Sequence, residues 1–170
     1  IIGQPDVIQI ADAIIRDELG VSIFSDNGET LEQVVVRLLK QRKQTLATAE
    51  SCTGGLIANN ITNVSGASEV FLAGYVTYAN SAKSDVLNID PKLIDTHGAV
   101  SEPVARAMAE GARARAASMY GLATTGIAGP TGGSDEKPVG TVYIALASGD
   151  SETAARKFVF PTDRETFKQL

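Results

Sequence analysis

Apolar positions recur along this chain in two rhythms, one at helical spacing and one in short strand-like runs. DVIQIADAIIRDELG, residues 6–20, predicts an amphipathic helix closed by Gly20. A short apolar VSIF and a polar SDNG follow, and the pattern restarts at Thr30. Thr30 and Gln33 have the spacing of a capping box, which opens the helix LEQVVVRLLKQRK. Residues 1–28 therefore read as a connector or the tail of a preceding domain, and 29–170 as the main domain.

Strands and helices then alternate. TLATA (45–49) predicts a strand and GGLIANNITNV (54–64) a helix opening on glycines. VFLAGYVTY (70–78) predicts a buried strand, and NSAKSDVLNI (80–89) a helix. SEPVARAMAEGARARAASMY (101–120) is a long helix with Ser101 as N-cap and Pro103 in its first turn. GLATTGIAG (121–129) is a strand entering a Gly-rich loop, VGTVYIALAS (139–148) and ARKFVF (155–160) are strands, and RETFKQL begins a closing helix. The expected fold is α/β: a three-layer α/β/α domain with a mixed, mostly parallel sheet and an N-terminal helical connector. Only a short turn separates the last two strands, so they should pair antiparallel.

Composition narrows the function. At 170 residues and 44% hydrophobic, the chain can bury one sizeable core. A net charge of −5 gives no basic face for nucleic acid, and the absence of Trp leaves little stacking surface for single strands. One Cys and one His can form neither an internal disulfide nor a zinc site from side chains of those types, so no metal and no cofactor is expected. No apolar run approaches the roughly 20 residues that span a bilayer, and no signal-peptide pattern is present. A cytoplasmic protein without membrane contact is expected.

The chemistry gathers at ATAESCTGG, residues 47–55, at the carboxyl end of a strand and the start of a helix. Ligands of open α/β sheets collect at such ends, and the free N–H groups there favour anions. Ser51 and Thr53 are also the residue types that cap helices, and both readings stay open. Cys52 reads more as a small buried hydrophobe. A serine needs a base. His97, the single histidine, sits in DTHGAV, a polar loop with turn chemistry, and reads as a surface or capping residue. Lysine is the other activator of serine, provided burial or a cationic neighbour lowers its pKa. Lys83, five residues past the strand VFLAGYVTY, is best placed for that role. TTGIAGPTGG (124–133) could line an anion site or simply join two strands, and it is neither a Walker nor a Rossmann loop. Lys137, in SDEKPVG, could meet an anionic ligand.

AESCTGG, YANSAK after an apolar strand, TTGIAGPTGG, KPVGTVYIA and a late DR occur in this order. In this the chain resembles the C-terminal domain of the competence/damage-inducible protein family CinA, which also occurs alone as bacterial nicotinamide-nucleotide amidase (PncC). The resemblance runs from about Glu29 to Leu170. It implies a Ser/Lys amidohydrolase that converts nicotinamide mononucleotide and water to nicotinate mononucleotide and ammonia. It implies Ser51 as nucleophile and Lys83 as base, with Tyr78 steering the proton and Thr125 in the wall facing the amide. Arg164, in the late DR, is implied as a substrate contact suited to a phosphate, although FPTDR has proline where a glycine-containing turn is expected. The expected substrate-binding set is Thr53, Gly54, Gly55, Gly126, Gly129, Gly132, Lys137 and Arg164. A homodimer is expected, and the N-terminal segment looks like the connector to a molybdopterin-binding-like domain. The competing expectation is a non-catalytic nucleotide-binding or interaction module in a competence or DNA-damage context.

Overall fold

The computed structural model describes residues 3–170. Helix α1 (Pro5–Leu19) buries none of its residues, and Gly20–Ser22 continue it as a 3-10 turn. Helix α2 (Leu31–Arg42) starts on the predicted capping box: the Thr30 hydroxyl accepts from Gln33 N–H, and the Gln33 side chain accepts from Thr30 N–H. The order is then β1 (Leu46–Glu50), α3 (Leu56–Thr62), β2 (Phe71–Val76), α4 (Asn80–Leu87), α5 (Pro91–His97) and α6 (Glu102–Ala116). Strands β3 (Tyr120–Gly126), β4 (Thr141–Ser148) and β5 (Ala154–Val159) and helix α7 (Arg164–Gln169) complete it.

The sheet order is β2-β1-β3-β4-β5. β1 is parallel to both neighbours, while β4 runs antiparallel to β3 and β5. The sheet is thus mixed, with β4 alone reversed, and the last two strands pair antiparallel as predicted. Small residues on one face, Ala47, Ala49, Ala123, Ala145 and Ala147, let α6 lie close against the sheet through Val104, Met108 and Ala109. Gly121 completes this contact, because a Cβ there would collide with the Ala109 carbonyl. The opposite face packs Leu46, Leu122 and Phe71 against α2 and α3, and Val142 against Phe167 of α7. The three-layer arrangement follows from these two apolar faces.

Three expectations change. VFLAGYVTY is not a buried strand: β2 lies at the sheet edge with β1 as its one neighbour, and Leu72 and Val76 are exposed. DTHGAV is not all loop, since Asp90 accepts from Lys92 N–H and caps the short helix α5. Ser101 stands at the N-cap of α6 but donates its hydroxyl to the Gly98 carbonyl instead of accepting from the helix. β2 also carries one extra residue near its start, since Leu46 pairs with Phe71 but Ala47 pairs with Ala73. Beyond that bulge Glu50 lies beside Val76, at the carboxyl ends of both strands.

Candidate active site

β1, β2 and β3 are parallel, so their carboxyl ends lie on one side of the sheet. Ser51 leaves β1 and its N–H is held by the Thr124 carbonyl of β3. On the other flank, Thr77 N–H donates to the Glu50 carbonyl, which fixes the end of β2 beside Ser51. The chain after β2 turns into α4, whose second half-turn projects Lys83 back towards both strands. Lys83 is 1% exposed, and Nζ lies 3.3 Å from Ser51 Oγ, 2.9 Å from the Thr77 carbonyl oxygen and 3.2 Å from that of Tyr78.

Among the described residues no acidic side chain pairs with Lys83, and its burial pushes the ammonium pKa below its ordinary value. A neutral amine there can give its two hydrogens to the Thr77 and Tyr78 carbonyls. Its lone pair is then left facing the Ser51 hydroxyl. When the amine takes up a proton, the same three oxygens accept from an ammonium. The position therefore suits both states of a proton-transfer cycle.

Cys52 is not a competing nucleophile. Burial raises its thiol pKa to about 11, so almost none is thiolate near neutrality. Cys52 packs with Ala128, Val142 and Phe167, as a small hydrophobe would.

Glu50 does something the sequence reading did not assign. Its carboxylate is 1% exposed and accepts from the backbone N–H groups of Gly55 (2.9 Å), Ile57 (3.1 Å) and Ala58 (2.8 Å). The start of α3 is thus occupied by the protein's own anion and does not serve a ligand. Gly55 spends its N–H on Glu50, and Gly54 N–H donates to the Ser51 carbonyl in the turn. The Thr53 hydroxyl shares a hydrogen bond of 2.9 Å with Thr124. The backbone N–H groups of Cys52 and Thr53 have no backbone acceptor among the described residues.

A cavity of about 200 Å³ opens over the dyad, lined by Ser51, Cys52, Tyr78, Asn80, Lys83, Ala99, Val100, Thr125, Gly126, Ala128 and Arg164. Thr125 is fully buried and donates to the Ala99 carbonyl, so it braces the wall. Arg164 donates from Nη1 to the Gly129 carbonyl at 3.0 Å and from Nη2 to the Tyr78 hydroxyl at 2.7 Å. It thereby bridges the loop after β3 and the end of β2. Asp163 caps α7 through Glu165 and Thr166 N–H groups, which sets Arg164 at the first helical position despite the proline of FPTDR.

The structure therefore brings Ser51, Lys83, Tyr78, Thr125, Gly126 and Arg164 around one cavity. Thr53, Gly54, Gly55, Gly132 and Lys137 do not line it. Gly129 takes part through its carbonyl. Lys137 Nζ donates to the His97 carbonyl and ties the second loop to the end of α5. The His97 side chain is exposed and also lies outside the cavity lining.

The profile of the CinA C-terminal domain matches residues 28–170. The chain belongs to the CinA C-terminal domain family. It is 57% identical over 156 residues to a CinA-like protein of Desulfosudis oleivorans, an alignment covering 92% of this chain and 38% of that protein. It is 52% identical over 159 residues to a CinA-like protein of Geotalea daltonii, covering 94% of this chain and again 38% of the relative. The chain thus spans about two fifths of these CinA relatives. The crystal structure of the competence/damage inducible protein CihA from Agrobacterium tumefaciens superposes with a TM-score of 0.79 at 39% identity, covering 81% of this chain and 84% of that one. A CinA superfamily protein from Escherichia coli gives 0.78 at 32% identity, covering 88% and 90%. The α/β fold is that of the CinA structures. Among the described residues no helix is long and apolar enough to cross a membrane.

Proposed function

We propose that this domain is a serine amidohydrolase with a Ser51–Lys83 dyad, acting on the carboxamide of nicotinamide mononucleotide. The observation that carries the proposal is the buried Lys83 amine, with two carbonyls for its hydrogens and Ser51 Oγ at 3.3 Å for its lone pair. Such an arrangement has a clear chemical use, because a serine hydroxyl attacks only when a base takes its proton.

In this reading Lys83 removes the Ser51 proton as Oγ attacks the carboxamide carbon. Cys52, next after the nucleophile and in the cavity lining, has a backbone N–H with no backbone acceptor among the described residues, and it is the donor for the developing oxyanion. Lys83 then gives its proton to the departing nitrogen, which leaves as ammonia from an acyl-Ser51 ester. Water attacks that ester with Lys83 again as base, releasing the acid. The cavity of about 200 Å³ is below the usual range for a whole ligand, so it holds the carboxamide-bearing ring and leaves the rest outside. Arg164 keeps further N–H donors beyond the two it uses, which fits a phosphate at the cavity mouth. The test is ammonia release from nicotinamide mononucleotide by the domain and by its Ser51→Ala variant. No turnover above the variant would overturn the proposal.

A further inference from the structure

The cavity over the dyad is electrically one-sided. Lys83 is 1% exposed, and the titratable groups that share the cavity with it are Cys52 from the turn after β1, Tyr78 from the end of β2 and Arg164 from α7. Among the described residues, no carboxylate lines it. Asp85 of α4 and Asp95 of α5 line the neighbouring groove instead, and His97 at the end of α5 is exposed. The residues that α6 buries are all apolar, and the buried Glu50 carboxylate is spent on the start of α3. A positive charge brought into this space therefore meets Lys83 with no carboxylate in the lining to offset it.

We infer that the positive ring of the substrate is itself the cationic neighbour that frees Lys83 of its proton, so that the site is matched to N-alkylated, cationic aromatic carboxamides. The inference rests on the amidase reading and deepens it. In nicotinamide mononucleotide the ring nitrogen bonds the ribose and carries a full positive charge, and the carboxamide is on the same ring. For Ser51 Oγ to reach the carboxamide carbon at roughly 3 Å, that ring has to enter the cavity beside Lys83. Lys83 Nζ is 3.3 Å from the same oxygen. The two charges then lie on the order of 6 Å apart, and at an effective dielectric of about 20 their repulsion displaces the Lys83 titration by about one to two pH units. The complex thus holds more of the neutral amine than the free protein does at the same pH. Arg164 adds its charge in the free and the bound protein alike, so it does not produce the difference. The phosphate lies further off at the solvent-facing mouth, where screening weakens its effect on Lys83. A neutral ring of the same shape would enter without freeing the base.

The experiment counts protons released on binding, by calorimetry in two buffers of different ionisation enthalpy. Ser51→Ala protein, which prevents turnover, is titrated with nicotinamide mononucleotide from about pH 7 to about pH 10, the range below the ordinary lysine value. The neutral comparison is benzamide riboside monophosphate, in which carbon replaces the ring nitrogen while the carboxamide, ribose and phosphate are kept. The cationic nucleotide should release about half a proton or more per molecule bound at the best pH, as a titration displaced by a unit or more requires. The neutral one should release only what the shared phosphate contributes, and adding Lys83→Met should abolish the difference. Equal release by the two nucleotides, no release by the cationic one, or a difference that survives Lys83→Met would overturn the inference and leave the amidase reading intact. If Lys83→Met does not fold, the comparison of the two ligands on the Ser51→Ala protein still decides, because it needs no second substitution. If the cationic nucleotide does not bind, or the wild type releases no ammonia from it, the amidase reading falls and takes this inference with it.

Discussion

Lys83 Nζ lies 3.3 Å from Ser51 Oγ, although 32 residues separate them in the chain. The two meet because β1 and β2 end side by side, and α4 folds back over the junction. That relationship sets the pH behaviour expected of the site. The rate at limiting substrate should rise with pH along a limb set by deprotonation of Lys83 in the free enzyme. Burial places this limb below the ordinary lysine value of 10.5. Lys83→Met should lower kcat/KM by about a hundred- to ten-thousand-fold, the usual worth of a general base. Lys83→Arg should not restore it, since a guanidinium keeps its proton. A pH–rate profile of Lys83→Arg with the wild-type limb intact would remove Lys83 from the mechanism.

The same burial makes stability depend on pH. Below the lowered folded value both folded and unfolded chains carry the Lys83 proton, and above 10.5 neither does. Between these limits only the unfolded chain binds it, so the contribution of this residue to stability rises with pH. Each unit between the two values amounts to about 1.4 kcal/mol. Urea midpoints compared with Lys83→Met across alkaline pH should show the wild type gaining on the variant. A difference that falls as pH rises would contradict the burial argument.

Glu50 should matter for folding before it matters for rate. Glu50→Ala leaves three backbone N–H groups without their acceptor. At about 1–3 kcal/mol for each buried unsatisfied group, the loss should reach about 3 kcal/mol or more. Glu50→Gln keeps an oxygen but turns an NH2 towards donors, and should cost about 1–3 kcal/mol. Denaturant unfolding of Glu50→Ala within about 0.5 kcal/mol of wild type, the range of ordinary surface changes, would show that the α3 terminus does not depend on this carboxylate.

His97→Asn should leave both kcat/KM and the alkaline limb within about twofold of wild type, well under 1 kcal/mol. Its side chain is exposed, and what Lys137 uses is the backbone carbonyl, which the substitution retains. Turnover should also persist in a strong chelator, because Lys83 performs the proton transfers. Loss of activity in either arm, measured as ammonia release, would point to a different base or to a metal.

Much of this site could be read along the chain because it is local. Strand, turn and helix signals place Ser51 at the carboxyl end of one strand and Lys83 shortly after the end of the next. What could not be read depends on packing between distant segments. Glu50 ends an apolar run and looks like the start of a surface turn. Its role follows only from the tight bend at Gly54 and Gly55, both at positive φ, which turns α3 back over β1. The edge position of β2 was hidden because apolar composition does not say which strands lack a neighbour. Helix α5 did carry a signal, Asp90 followed by Pro91, a pair suited to a helix start. The polar residues around His97, ending in Gly98, carry turn signals that mask this helix. Lys137 was read as an anion contact from charge and loop chemistry, and its placement against His97 depends on α5.

The extra residue in β2 has a consequence for how this strand can change over time. Phe71 must meet Leu46 to join the cluster under α2 and α3, while Val76 must meet Glu50 to set Thr77 beside Ser51. Four residues of β1 separate one pairing from the other, but five residues of β2 do, and the bulge at Leu72 absorbs the difference. Deleting one residue there would force a choice between the core and the catalytic end, with a displacement of about 3.3 Å along the strand. Substitution within β2 is therefore far easier to accept than a change in its length. Lineages of this domain should vary the letters of the strand and conserve its count.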